Sequence, residues 1–176
     1  MWNLGVHWVD YFRYMTGQEV VKVSGVATGP FGEPGRDIED SAQALLTFSD
    51  GATGFLDISY TMPESFPGRR DIFVAFRGTS GDVHWAPAWG GVTDDLLLVS
   101  ETPGAGAEKC QRLRITSREI PGYCGQMAWD WLRDFAAAVD QDRPPLVTPE
   151  DILAAVKVVD AFYRSVKSGK AETVAR

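Results

Sequence analysis

The chain has 176 residues, 44% of them hydrophobic and 23% charged, with a net charge of −7. That length favours a single domain with a sizeable core, and an acidic balance without any basic run argues against a nucleic-acid partner or an anionic membrane surface. The only cysteines, Cys110 and Cys124, lack metal-ligand spacing and read as reduced thiols; with no signal peptide and no apolar run near ~18 residues, the expectation is a soluble, cytoplasmic protein.

In chain order, Asn3–Thr16 has helical spacing and is closed by Gly17 in the position suited to a left-handed turn. Glu19–Thr28 alternates and reads as a strand, followed by a loop rich in Gly, Pro and charge over residues 29–40. Residues 41–61 read as a hairpin turning at Ser49-Asp50-Gly51, since Asp-Gly between alternating runs is a strong hairpin signal. One face of that hairpin is apolar (Ala44, Leu46, Phe48, Leu56, Ile58, Tyr60). The other is mixed (Leu45, Thr47, Phe55, Asp57, Ser59). Residues 69–85 repeat the plan around Gly78–Gly81, with Ile72, Val74 and Phe76 on one face and Phe73 and Ala75 on the other. Residues 93–101 and 109–120 are further strand candidates around a TPGAGA loop.

The period then lengthens to that of helices. Gly125–Asp142 is one, and Thr148–Gly169 is the other, with Thr148 as N-cap, Pro149 at N1, Asp151 at N3, Lys167 in the last turn and Gly169 beyond it. The pattern predicts an α+β fold over residues 1–176, one domain, with an open, largely antiparallel sheet of about six strands and helices on one face. Apolar residues on both sheet faces (Leu45, Phe55, Phe73 and Ala75 on the second) point to a homodimer or higher oligomer formed through that open face.

The residues with chemical potential sit mostly in the first helix. Asn3, His7 and Asp10 follow i, i+4, i+7 spacing, so an amide, an imidazole and a carboxylate share one line of an otherwise apolar helix. On a structural reading Asn3 caps the helix, His7 is a satisfied core residue and Asp10 pairs with Arg13. On a functional reading His7 accepts a proton and is held by its neighbour one turn earlier, an imidazole being a usable base near neutral pH. His84 reads as a strand-end residue, Trp85 and Trp89 as packing residues able to stack on a sugar ring, and Gly68–Arg70 as a solvated loop. Tyr123, in a loop just before a helix, is a candidate ligand contact. Two histidines support neither a metal cluster nor a Ser/His/Asp triad.

NLGVHWVDYFRYMTG resembles the Asp-x-Gly-x-His-x-x-Asp stretch of the Gfo/Idh/MocA oxidoreductases. DIEDSAQALLTFSDGATGFLDISYT resembles that family's ED-x-A…L-x-F-x-x-G hairpin, and PPLVTPEDILAAVKVVDAFYRSVKSGK its closing helix. The resemblance covers essentially the whole chain and is confined to the family's C-terminal α+β domain, without its N-terminal Rossmann domain. It implies NAD(P) for the full-length family but no cofactor bound by this chain alone. GAGAEK (Gly104–Lys109) has only two glycines of a dinucleotide fingerprint and precedes a strand rather than a helix. The family's Glu-Lys-Pro motif is absent.

In such enzymes the residue at the place of His7 contacts the substrate hydroxyl and takes its proton, so the resemblance implies a catalytic His7. Asn3 stands where the family has an orienting aspartate; its amide carbonyl can still accept a hydrogen bond but carries no charge to favour an imidazolium. His7, Asp10 (matching the family's second acid) and Tyr123 are the implied substrate contacts.

The resulting expectation is the substrate-binding and oligomerisation domain of an NAD(P)-dependent sugar or polyol oxidoreductase, competent only if a separate Rossmann-domain partner supplies the cofactor. The alternatives are a non-catalytic homo-oligomeric module that binds a sugar-like ligand or serves assembly only, and a fragment whose missing part carries the activity.

Overall fold

The computed structural model describes residues 1–30, 35, 37–66, 71–87, 93–102 and 108–175. The elements run α1 (Gly5–Thr16), β1 (Val20–Thr28), β2 (Ser41–Phe48), β3 (Thr53–Ser59), β4 (Val74–Gly78), β5 (Gly81–Pro87), β6 (Thr93–Ser100), β7 (Cys110–Thr116), α2 (Gly125–Asp140), α3 (Pro149–Ser168) and β8 (Glu172–Thr173). Every described strand pairing is antiparallel, so the α+β class with an antiparallel, open sheet holds. The strands are divided between two four-stranded sheets, β3-β2-β1-β8 and β4-β5-β6-β7, where the pattern predicts one sheet of about six. The reason is local. Hairpin turns announce which neighbours pair, but the stretch between β3 and β4 has no such signal, and β8 is too short to show a period. The chain correspondingly forms two compact units, Met1–Thr61 with Asp142–Arg176, and Met62–Gln141.

In the first unit, β2 lies between β1 and β3, and the turn joining β2 to β3 is closed by Asp50, whose carboxylate accepts from the Ala52 N–H at 2.9 Å, with Gly51 at φ 89°. Alternation decides which face is buried. Ala42, Ala44, Leu46, Phe48, Leu56 and Ile58 join Val9 of α1 and Ala155, Val158, Val159, Ala161 and Phe162 of α3 in one core. Tyr60, beyond the end of β3, is exposed. The opposite face carries the row Ser24, Leu45 and Phe55, all exposed. α1 and α3 pack together and run antiparallel: Arg13 near the end of α1 bonds Asp151 at the start of α3, while Trp2, ahead of α1, stacks on Tyr163 near the end of α3.

α3 is delimited as its sequence requires. The Thr148 hydroxyl accepts from the Asp151 N–H, the Asp151 carboxylate accepts from the Thr148 N–H, and Gly169 ends the helix at φ 65°.

The second unit holds the meander β4-β5-β6-β7, with the β4–β5 turn at Gly78–Gly81 as the sequence predicts. Phe73 precedes β4 and Ala75 lies within it, so neither belongs to the sheet that carries Leu45 and Phe55. In α2, Trp131 stacks on Phe135 with ring centroids 5.6 Å apart. Cys110 and Cys124 are unpaired and exposed. Among the described residues no helix is long and apolar enough to cross a membrane.

Candidate functional site on the first helix

Gly5 and Val9 are buried, Val6, Trp8 and Phe12 pack partly against the core, and the remaining side of α1 faces outward. His7 and Tyr14 are exposed on that side and Asp10 is half-buried. His7 is therefore not a core histidine. Nor does Asn3 cap the helix: the N-cap is Leu4, which makes no side-chain cap bond, and Asn3 stands exposed in the preceding turn. That turn is made by the Val6 N–H donating to the Met1 carbonyl at 3.3 Å and the His7 N–H to the Leu4 carbonyl at 3.2 Å. Among the described residues no hydrogen bond joins the Asn3 amide to the His7 imidazole.

Asp10 does pair with Arg13, which donates from Nη1 at 3.3 Å. The Arg13 side chain, only 9% exposed, holds more than Asp10. It donates to both carboxylate oxygens of Glu19 at 2.7 and 2.6 Å, to the Asp151 backbone carbonyl at 3.2 Å and to the Asp151 carboxylate at 3.5 Å. One guanidinium thus ties α1 to the approach to β1 and the start of α3. The hydrogen bond from Arg13 holds the Glu19 carboxyl below its ordinary range. Asp151 is also held low, first by the backbone and hydroxyl of Thr148 and then by Arg13.

A second cluster lies ahead of α1. Glu39 accepts hydrogen bonds from the Met1 amine and the Tyr163 hydroxyl. Burial pushes the Glu39 carboxyl up, but those two donors outweigh it and hold the group low. Burial and the bond to Glu39 push the Tyr163 phenol up. Tyr163 is flanked by Trp2, stacked at 6.2 Å and 20°, and by Phe162, edge-on at 5.2 Å. Periodicity carries no sign of this cluster, because its members meet only in the folded chain.

Asn3, His7 and Asp10 all belong to the first unit, on or just before α1. Tyr123 belongs to the second, 92% exposed in the loop before α2. His84 stands within β5, paired with Ala75 and Leu97 rather than at a strand end; its Nε2 is 3.5 Å from an Asp82 oxygen and its ring leans on Phe73. Trp85 is half-buried on the same strand. Trp89, Gly68–Arg70 and Gly104–Ala107 lie outside the described residues.

Among the described residues no group of His, Cys, Asp and Glu side chains has metal-site geometry. A dinucleotide pyrophosphate is held at a helix N-terminus within a parallel βαβ unit, and the uniformly antiparallel pairing here includes no such unit among the described residues. The N-terminus of α3, moreover, carries Glu150 and Asp151 in its first turn. The described residues do not fit that cofactor.

What remains is an α+β domain whose first helix presents an imidazole and an anchored carboxylate, with an exposed amide in the turn before it. Residues 1–84 match the model of the GFO/IDH/MocA C-terminal domain. The chain is 26% identical over 170 residues to scyllo-inositol 2-dehydrogenase (NAD(+)) of Bacillus subtilis, spanning 95% of this chain and 45% of that protein. Its fold matches an oxidoreductase from Agrobacterium radiobacter, solved with NAD+, L-tartaric acid and magnesium, at a TM-score of 0.77 and 18% identity (98% of this chain, 48% of that one). It matches the aldose-aldose oxidoreductase from Caulobacter crescentus, solved with glycerol, at 0.71 and 22% (96% and 45%). The chain therefore spans less than half the length of these relatives.

Proposed function

We propose that this chain forms the substrate side of an NAD(P)-linked sugar or polyol oxidoreductase, with the dinucleotide held by residues outside it. The observation that supports this reading is the outward presentation of His7 on α1, beside the half-buried Asp10 that Arg13 anchors. Oxidation of a secondary alcohol requires the hydroxyl proton to leave as the carbonyl forms. In this reading the His7 imidazole accepts that proton, a contribution of about 10²–10⁴-fold. Asn3 offers the neighbouring amide, and Asp10 is assigned as a substrate contact. Because Asn3 is uncharged, the imidazolium gains no Coulombic support from that position.

Calorimetry on the purified chain tests the reading. A cyclic polyol such as scyllo-inositol should bind weakly, and His7→Ala should weaken it further. NAD and NADP should give no saturable heat, because the pyrophosphate cradle is missing from the residues described. Micromolar dinucleotide binding, or polyol binding indifferent to His7→Ala, would overturn the assignment.

A further inference from the structure

Resting on the sugar or polyol reading, we infer that Trp2 is the stacking platform for a cyclic polyol or pyranose ring at the entrance to α1. Three observations carry this assignment. First, Trp2 is 52% exposed although it is the largest side chain type and lies directly against the core-forming α3. Second, its ring is braced from behind. It stacks on Tyr163, whose own ring meets Phe162 edge-on and whose hydroxyl is tied to Glu39. The indole is thus held before any ligand arrives, which lowers the ordering cost of binding. Third, the polar groups follow at once in the chain: Asn3 is exposed in the same turn, and His7 is exposed in the first turn of the helix.

A cyclic polyol has two kinds of surface. Its ring faces present C–H groups, and its rim presents hydroxyls that both donate and accept. An indole face suits the first. An amide, which donates and accepts, and an imidazole suit the second. An apolar wall with a few polar groups is the usual composition of a small-molecule site. A ring with all its hydroxyls equatorial, such as scyllo-inositol, presents its C–H faces unobstructed, whereas a linear hexitol offers no rigid face to the indole. The platform therefore selects for rings.

The test is an NMR titration of the full 176-residue chain with scyllo-inositol and, separately, with sorbitol. The expected result is a saturable shift of the Trp2 indole N–H with the cyclic compound and a weaker response with the linear one. Trp2→Ala should raise the dissociation constant about three- to tenfold, with Trp2→Phe retaining most of the affinity. The wild-type indole shift needs no variant, so a poorly folded Trp2→Ala protein does not remove the test. If the His7 ring responds to scyllo-inositol while the Trp2 indole does not, or if Trp2→Ala binds as tightly as wild type, the platform is wrong and the polyol reading survives. If neither ring responds at saturating polyol, both fall.

Discussion

Ser165 is a fully buried hydroxyl in the last turn of α3, at the end of its apolar face, and each of its hydrogen bonds has a purpose. It accepts from the Gly25 N–H of β1 at 2.9 Å and donates to the Lys170 carbonyl at 2.6 Å. β8 pairs with β1 only at Lys22 and Val23, so Ser165 serves the strand where its neighbour has ended. Ser165→Ala leaves a buried donor and an acceptor unmet, and should cost about 2–4 kcal/mol, read from the urea midpoint. Arg13 is the other residue whose removal reaches three elements. Arg13→Met should cost roughly 1–2 kcal/mol, because Glu19 is well exposed and its other carboxylate partners are about a third exposed, and such pairs are weak.

The more specific signature of Arg13 is in pH. Glu19 and Asp151 are held below their unfolded values. Their contribution is present above the unfolded carboxylate range, about 3.9–4.3, and is lost as pH falls through the lower folded values. Arg13→Met should therefore flatten the acid limb of the stability curve below about pH 4 while lowering its plateau. An unchanged acid limb would show that Arg13 does not set the Glu19 carboxyl, since Asp151 is held low first by Thr148.

At the scale of elements, α3 is the member on which the first unit depends, and its ends were legible. Thr148, Pro149, Asp151 and Gly169 are in the order that starts and stops a helix, and the structure uses each accordingly. Thr148→Ala should lower the stability of that unit by about 1 kcal/mol. The contact of α3 with β1 is closer than any pattern foretells: a Cβ on Gly25 would sit 2.5 Å from the Phe162 ring. Gly25→Ala should cost roughly 1–3 kcal/mol even though alanine suits a strand better, since the fully buried Phe162 has nowhere to go. Denaturation at equal slope with a shifted midpoint is the expected readout.

Elements with strong local signals were readable: the Asp50-Gly51 hairpin, the Gly78–Gly81 turn and α3. The start of α1 was not. Asn3 is a good cap by residue type, yet the bond from Val6 to Met1 draws the chain into an earlier turn and leaves Leu4 at the cap. Spacing correctly placed His7 and Asp10 near one another on α1. It carried nothing about Arg13 reaching Asp151, 138 positions away, or Tyr163 reaching Glu39, 124 away.

For the molecule as a whole, the first sheet raises the question of what covers its second face. The row Ser24, Leu45 and Phe55 crosses three strands, with Leu45 53% and Phe55 65% exposed, and Val26 exposed in the next row. Beside them Gln43 donates to Asp57 at 2.8 Å, so part of the polar capacity of that face is already satisfied within the sheet. Such a face suits a flat, self-complementary contact, in which one patch meets its own copy about a two-fold axis. The proposal is a homodimer through this sheet, burying more than about 1,200 Å² in total. Because Phe73 precedes β4 and only Ala75 lies within that strand of the other sheet, the proposed contact rests on Leu45, Phe55 and Val26 of the first sheet. Light scattering at micromolar concentration should return twice the chain mass. Leu45→Glu with Phe55→Glu should return the monomer with its helical signal intact, since both side chains already face solvent in the isolated fold. A wild-type monomer would refute the contact. A dimer that survives both substitutions would place the interface elsewhere, and the assembly role would then have to be sought on a different surface from the one that Leu45 and Phe55 define.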